Sequence, residues 1–235
     1  MIGIIGGANF FLTGLKVAEE RKVDTSYGDP SAPFLVGKLA GKEVAYLSRH
    51  GVQRLPPHRI NYRANLSALK TMGVSRVIGV NSVGSLKKEI LPGFVLIPHD
   101  FLSPWEVITI HEARAVHITP ALNTELRNLL VRGAAEARVK FYNGGIYVHT
   151  KGPRLETKAE VAMLSQFGDV VGMTMAHEAT LSQELGLAYA SICSVDNYAH
   201  GLVEEPLREE EIARSARENA AQIEQVLLKT VERME

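Results

Sequence analysis

With a single cysteine in 235 residues, the chain cannot close an intrachain disulfide. Cys193 lies in an apolar run, so a reducing compartment, the cytoplasm, is the expected setting. Neither charge is in excess: Lys and Arg total 26, as do Asp and Glu, and the formal net charge is zero. Without a large basic field, nucleic acid and anionic membranes are poor main partners. A local cationic pocket for a small anion is still compatible with that balance. No apolar run approaches the length of a membrane span. The opening Met-Ile-Gly-Ile-Ile-Gly-Gly lacks the basic region and the apolar length of a signal peptide. Linkers, internal repeats and low-complexity tracts are missing as well. With 46% apolar residues, one sizeable core is affordable, and a single domain over 1–235 is expected. Several chemistries lack their signatures: no G-x-G-x-x-G follows the first strand, and there is no G-x-S-x-G elbow, Walker A sequence or Cys/His metal spacing.

What is present alternates. Ile2–Ile5 reads as a first strand ending in Gly6-Gly7-Ala8-Asn9. Phe34–Leu39 and Glu43–Leu47 flank Gly41-Lys42 as an antiparallel hairpin, the second strand running into Ser48-Arg49-His50-Gly51. From His58 the pattern turns helical, with Tyr62, Leu66, Leu69 and Met72 as its stripe and Gly73 closing it. Val77–Val80 is a β-branched run suited to a strand buried on both faces. It is expected to break into a turn at Asn81-Ser82-Val83-Gly84-Ser85, whose backbone N–H groups can nest an anion. Phe94–Ile97, Ile146–His149, Val170-Val171 and Leu187–Val195 are further strands. Helices are expected from Thr119-Pro120 through Ala137, over Lys158–Phe167 and over His177–Leu185. A last helix opens at Glu209-Glu210-Glu211, where acidic residues suit its N-terminal dipole. Strands alternating with helices, together with the early hairpin, predict an α/β sandwich around a mixed sheet. Its strands end in polar clusters: Gly6–Asn9, Arg49-His50, Asn81–Ser85, Gly152–Thr157, Met173-Thr174 and Asp196-Asn197. If those ends meet, they suit an oxyanion and a polar heterocycle.

In the same order, Ile4-Ile5-Gly6-Gly7, Arg49-His50-Gly51, Asn61-Tyr62-Arg63-Ala64-Asn65, Val83-Gly84-Ser85, Gly152-Pro153-Arg154 and Gly172-Met173-Thr174 with Glu178 resemble the motifs of methylthioadenosine phosphorylases. These belong to the trimeric purine nucleoside phosphorylase superfamily. The resemblance covers nearly the whole chain. It implies a three-layer sandwich with a mixed central sheet, and phosphorolysis, in which inorganic phosphate attacks C1′ of a purine nucleoside and releases the base. No metal and no cofactor beyond the phosphate co-substrate is implied.

The resemblance assigns Arg49 and His50 to phosphate, the guanidinium as a bidentate fork and the imidazole as an added donor. Asn81, Ser82 and Thr174 join them. Ala8 stands where the family has Thr or Ser, so Asn9 or water would have to replace one hydroxyl. Met173 falls to the ribose. His117 matches a histidine that a neighbouring subunit lends to the 5′ pocket, which implies a homotrimer or homohexamer with its site near an interface. Ile212 and Ala213 match positions facing the 5′ substituent.

For the base, Asn197 falls where adenine-specific relatives carry aspartate, and an amide can donate to O6 and accept from N7–H. Glu156 matches the glutamate that accepts from N1–H, a proton that 6-oxopurine nucleosides have and adenine nucleosides lack. Asn197 and Glu156 are therefore expected to carry catalysis, holding the base as charge builds on it. Inosine, guanosine and S-methyl-5′-thioinosine are the expected substrates. A one-residue shift would put Asp196 at the base and restore an adenine-type reading, that of an S-methyl-5′-thioadenosine phosphorylase. A hydrolytic nucleosidase and a non-catalytic purine-sensing module are the other readings.

Overall fold

The computed structural model describes residues 1–105, 108–206 and 208–234. Among them, eleven strands form one mixed sheet. The left half holds β1 (Ile2–Gly6), β2 (Lys16–Arg21), β3 (Phe34–Leu39) and β4 (Lys42–Ser48). A 3₁₀ turn (Pro57–Arg59) and α1 (Tyr62–Thr71) lead to the central β5 (Arg76–Ser85). The short strands β6 (Val95–Ile97) and β7 (Asp100–Leu102) precede α2 (Thr124–Ala137), followed by β8 (Phe141–Asn143) and β9 (Ile146–His149). The chain finishes with α3 (Lys158–Leu164), β10 (Val170–Gly172), α4 (Met175–Glu184), β11 (Ala188–Tyr198) and α5 (Glu209–Glu232).

Strand β5 is the hub, parallel to β1 and β11 and antiparallel to β10. Its residues 77–80 are buried, as an apolar β-branched run between two neighbours requires. Helices α1 and α4 pack on one face, with Leu66, Leu69, Met175 and Ala179 in that core. On the other face α2 and α5 supply Leu126, Leu130, Ile223 and Leu227. The expected three-layer α/β arrangement is what forms.

Local differences have local causes. The turn expected after Val80 does not occur: β11 accompanies β5 from Arg76 to Ser85, so Asn81–Ser85 stay in the ladder and their N–H groups make no nest. The irregularity falls on β11 instead, a bulge between Val195 and Asn197 that leaves Asp196 without a register partner. Helix α2 starts five residues later than expected, because the Asn123 side chain caps it by accepting from Leu126 N. Residues 119–121 are tied to α4, Gln183 accepting from Ala121 N (2.8 Å) and donating to the Thr119 carbonyl (2.7 Å). Strand β2 escaped sequence reading because Lys-Val-Ala-Glu-Glu-Arg is an exposed edge with no apolar alternation. No helix among the described residues is long and apolar enough to cross a membrane.

Candidate active site

A cavity of about 240 Å³ lies where the strand ends converge. Gly7–Phe10 after β1, Arg49 and His50 after β4, and residues 80–84 of β5 form one side. Glu156, Met173 and Thr174 face them, Asp196 and Asn197 come from β11, and Ile212, Ala216, Ala220 and Ile223 of α5 make an apolar wall. The cavity thus brings together Ala8, Arg49, His50, Asn81, Ser82, Glu156, Met173, Thr174, Asp196, Asn197 and Ile212. Two expected residues are not among its lining. His117 is exposed outside it, and Ala213 lies one position off the wall that Ile212 and Ala216 share.

Arg49 is 1% exposed and locked. Its Nε donates to Glu178 Oε1 (2.5 Å), Nη2 to Glu178 Oε2 (3.1 Å) and the Ile5 carbonyl (3.4 Å), and Nη1 to the Val80 carbonyl (2.8 Å). Burial works against its charge, yet the Glu178 carboxylate outweighs it and holds the guanidinium protonated. One N–H, on Nη1 beside Gly7, is left to face the cavity. The expected bidentate fork is therefore directed at Glu178, and a ligand meets a single guanidinium N–H.

His50 also departs from expectation. Its Nδ1 lies 2.7 Å from the Leu55 carbonyl, which can only accept, so the ring proton belongs there. Burial, and then the Arg49 charge, push its pKa down to about 4. At neutral pH Nε2 is an acceptor, suited to a phosphate hydroxyl rather than acting as an extra donor. Asn81 hydrogen-bonds Thr174 Oγ1 (2.8 Å) and Ser191 Oγ (2.7 Å), joining β5 to the start of α4 and to β11 beside the cavity.

The other end is built differently. Glu156 precedes α3, whose cap is Thr157 in a reciprocal capping box with Glu160, so its side chain is free of any helical duty. Thr150 Oγ1 donates to Glu156 Oε1 (2.6 Å), and Oε2 makes no hydrogen bond among the described residues. Asn197 Nδ2 donates to the neighbouring Tyr198 carbonyl (2.8 Å), leaving Oδ1 open. Asp196 is buried among Ser82 and Ser194, which both donate to it, and Asn219 Nδ2 (3.2 Å). Burial lifts its pKa to about 6, against the pull of those three donors. Because the Ser82 proton goes to Asp196, the Ser82 oxygen presents lone pairs to the cavity, a poor posture for an anion.

Thr150, Tyr189 and Asn219 escaped sequence reading, and Glu178 was noted only as part of a motif. Asn219 alone carried a signal, a polar residue in step with Ala216 and Ile223 on an apolar helix face.

The chain is similar to known proteins along nearly its whole length. Residues 1–232 match the family model described as the phosphorylase superfamily. The chain is 43% identical to a probable 6-oxopurine nucleoside phosphorylase of Archaeoglobus fulgidus, covering all of this chain and 97% of that one. It is 42% identical to a probable S-methyl-5′-thioinosine phosphorylase of Methanocaldococcus jannaschii, covering 99% and 90% of the two chains. An S-methyl-5′-thioadenosine phosphorylase of Pyrococcus furiosus is 40% identical over 98% of this chain and 91% of its own. Among solved structures, methylthioadenosine phosphorylase from Schistosoma mansoni in complex with adenine superposes with a TM-score of 0.93 at 26% identity, covering 98% of this chain and 90% of that one. The chain belongs to the phosphorylase superfamily.

Proposed function

We propose that this enzyme is a purine nucleoside phosphorylase for 6-oxopurine nucleosides, cleaving the N-glycosidic bond with inorganic phosphate to give hypoxanthine or guanine and a ribose 1-phosphate. The observation that carries the reading is the pairing of Glu156 and Asn197 in one cavity with Arg49, Asn81 and Thr174. Glu156 Oε2 is an unused carboxylate acceptor, matched to the N1–H of a 6-oxopurine. The Asn197 amide complements the O6 and N7 edge. Phosphate sits at the Arg49 end, where one guanidinium N–H, the Thr174 hydroxyl and the acceptor Nε2 of His50 meet a protonated oxyanion. As the glycosidic bond lengthens, the phosphate stabilises the cationic sugar, and Glu156 and Asn197 hold the departing base.

The apolar wall of Ile212, Ala216, Ala220 and Ile223 favours a methylthio over a hydroxyl group at C5′, which makes S-methyl-5′-thioinosine the preferred substrate. The exposed His117 fits a role in a neighbouring copy's 5′ pocket, within a homotrimer or homohexamer. Asp196 in the same cavity favours a second reading, adenine-type nucleosides, in which a protonated carboxyl at that position would donate to N7. Separation of reaction products with and without phosphate tests the proposal. Hypoxanthine and a sugar phosphate should form together, and only when phosphate is supplied. Base release in phosphate-free buffer would establish a hydrolase, and base binding without turnover a sensor.

A further inference from the structure

One arrangement recurs on three pairs of parallel strands. On β4, Tyr46 is in register with Ile4 of β1, and two residues further along β1 stands Gly6. On β11, Tyr189 is in register with Val77 of β5, and two residues further stands Gly79. On β9, Tyr147 is in register with Val170 of β10, and two residues further stands Gly172. Each ring leans along its strand, so that a Cβ on the glycine would collide with the tyrosine hydroxyl. All three tyrosines are at most 3% exposed.

Packing alone does not account for these residues. Phenylalanine would fill the same space without the cost of burying a hydroxyl. Each hydroxyl instead reaches a segment that lines the phosphate end of the cavity. Tyr46 donates to the Phe10 carbonyl (2.7 Å), fixing the Gly7–Phe10 loop. Tyr189 donates to Glu178 Oε2 (2.8 Å), the carboxylate that holds Arg49. Tyr147 accepts from the N–H groups of Thr174 (3.2 Å) and Met175 (3.4 Å) at the start of α4. Thr174 is the N-cap of that helix yet makes no side-chain cap bond. The Thr174 hydroxyl instead hydrogen-bonds Asn81 (2.8 Å), while Tyr147 holds the Thr174 backbone in place beside the cavity.

We infer that Tyr46, Tyr147 and Tyr189 are positioning residues for the phosphate co-substrate, each seated over a glycine so that its hydroxyl fixes one of the three segments that surround the anion. The inference rests on the phosphate end proposed above, and it adds specificity determinants that never touch the ligand.

The test is calorimetric titration of the whole protein with inorganic phosphate, without nucleoside, together with steady-state kinetics. Tyr189→Phe and Tyr147→Phe should each raise the Kd for phosphate about 5–10-fold, the effect of one lost buried hydrogen bond, and Tyr46→Phe about 2–3-fold. The KM for nucleoside and kcat at saturating phosphate should stay within about twofold of the parent. Tyr142→Phe, which removes a hydroxyl bonded to the Glu89 carbonyl (2.6 Å) away from the cavity, should leave phosphate binding unchanged. Gly79→Ala and Gly172→Ala, which crowd the same hydroxyls from the opposite strand, should weaken phosphate as well. Variants that melt earlier while keeping the parent Kd, or that move both KM values and kcat together, would overturn the inference. A parent enzyme that binds phosphate and cleaves no nucleoside would overturn the function instead, and the Kd ratios would still decide this point.

Discussion

The two ends of the cavity are built on opposite principles. At the phosphate end the polar groups are already engaged within the protein: four of the five Arg49 N–H groups, Asn81, Thr174 and His50 Nδ1 all have partners. At the base end Glu156 Oε2 and Asn197 Oδ1 are left open, each side chain held by one bond to its other atom. In the proposed function the first end receives the same small anion every time, and rigidity would make its field cost nothing at the moment of reaction. In the same proposal the second end reads a heterocycle, where unspent donors and acceptors would discriminate, since a mismatched edge leaves a buried group unpaired. Substitutions at the first end should therefore cost stability and phosphate affinity, and those at the second should change preference.

The largest effect expected from this contrast is at Arg49. Arg49→Met strands the buried Glu178 carboxylate, and unfolding in denaturant should show a loss of about 3–5 kcal/mol. Replacing the pair with apolar residues, as Arg49→Met/Glu178→Leu, should recover most of that stability while phosphate affinity stays lost. A single variant as stable as the parent would break the contrast. At the other end, Glu156→Gln should lower kcat/KM for 6-oxopurine nucleosides by about a hundredfold, roughly 3 kcal/mol, with a melting temperature near that of the parent. Thr150→Val comes next. Freeing Glu156 Oε1 should cost about tenfold in kcat/KM for the same substrates and leave the phosphate KM alone.

The smallest effect is in the pH dependence of stability. The folded-state pKa of Asp196, about 6, lies above its ordinary 3.8. Its contribution is then fully present below pH 3.8 and is lost as pH rises through 6. His50 and His149, pushed down by burial to about 4 and about 3, act with the opposite sign: their contribution is present above pH 6.5 and lost on acidification. Asp196→Asn should therefore gain on the parent enzyme as pH is raised from 4 to 7 in thermal melts. A constant gap between the two curves would mean that Asp196 keeps an ordinary pKa.

Legibility followed the same division. The alternation of elements, the hairpin of β3 and β4, and the convergence of Arg49, Asn81, Thr174, Glu156 and Asn197 were readable, because apolar periodicity and motif order are local properties. The state of those residues was not. Nothing beside Arg49 in the chain says that Glu178, 129 residues away, takes two of its N–H groups. Nothing beside His50 fixes its tautomer except the Leu55 carbonyl, which reaches it through a turn. Asn81–Ser85 looked like a turn because small residues suit one, and pairing with all of β11 overrode that preference. The tyrosines were hidden for a related reason. Along the sequence they read as ordinary core positions, and only the parallel register sets each one over its glycine.

The most direct measurement is the ratio of kcat/KM for S-methyl-5′-thioinosine over S-methyl-5′-thioadenosine at a fixed, saturating phosphate concentration. With Glu156 and Asn197 reading the base, the ratio should be on the order of a hundred or more in favour of the 6-oxopurine. Adenine released as fast as hypoxanthine, or faster, would contradict it and hand the base to Asp196.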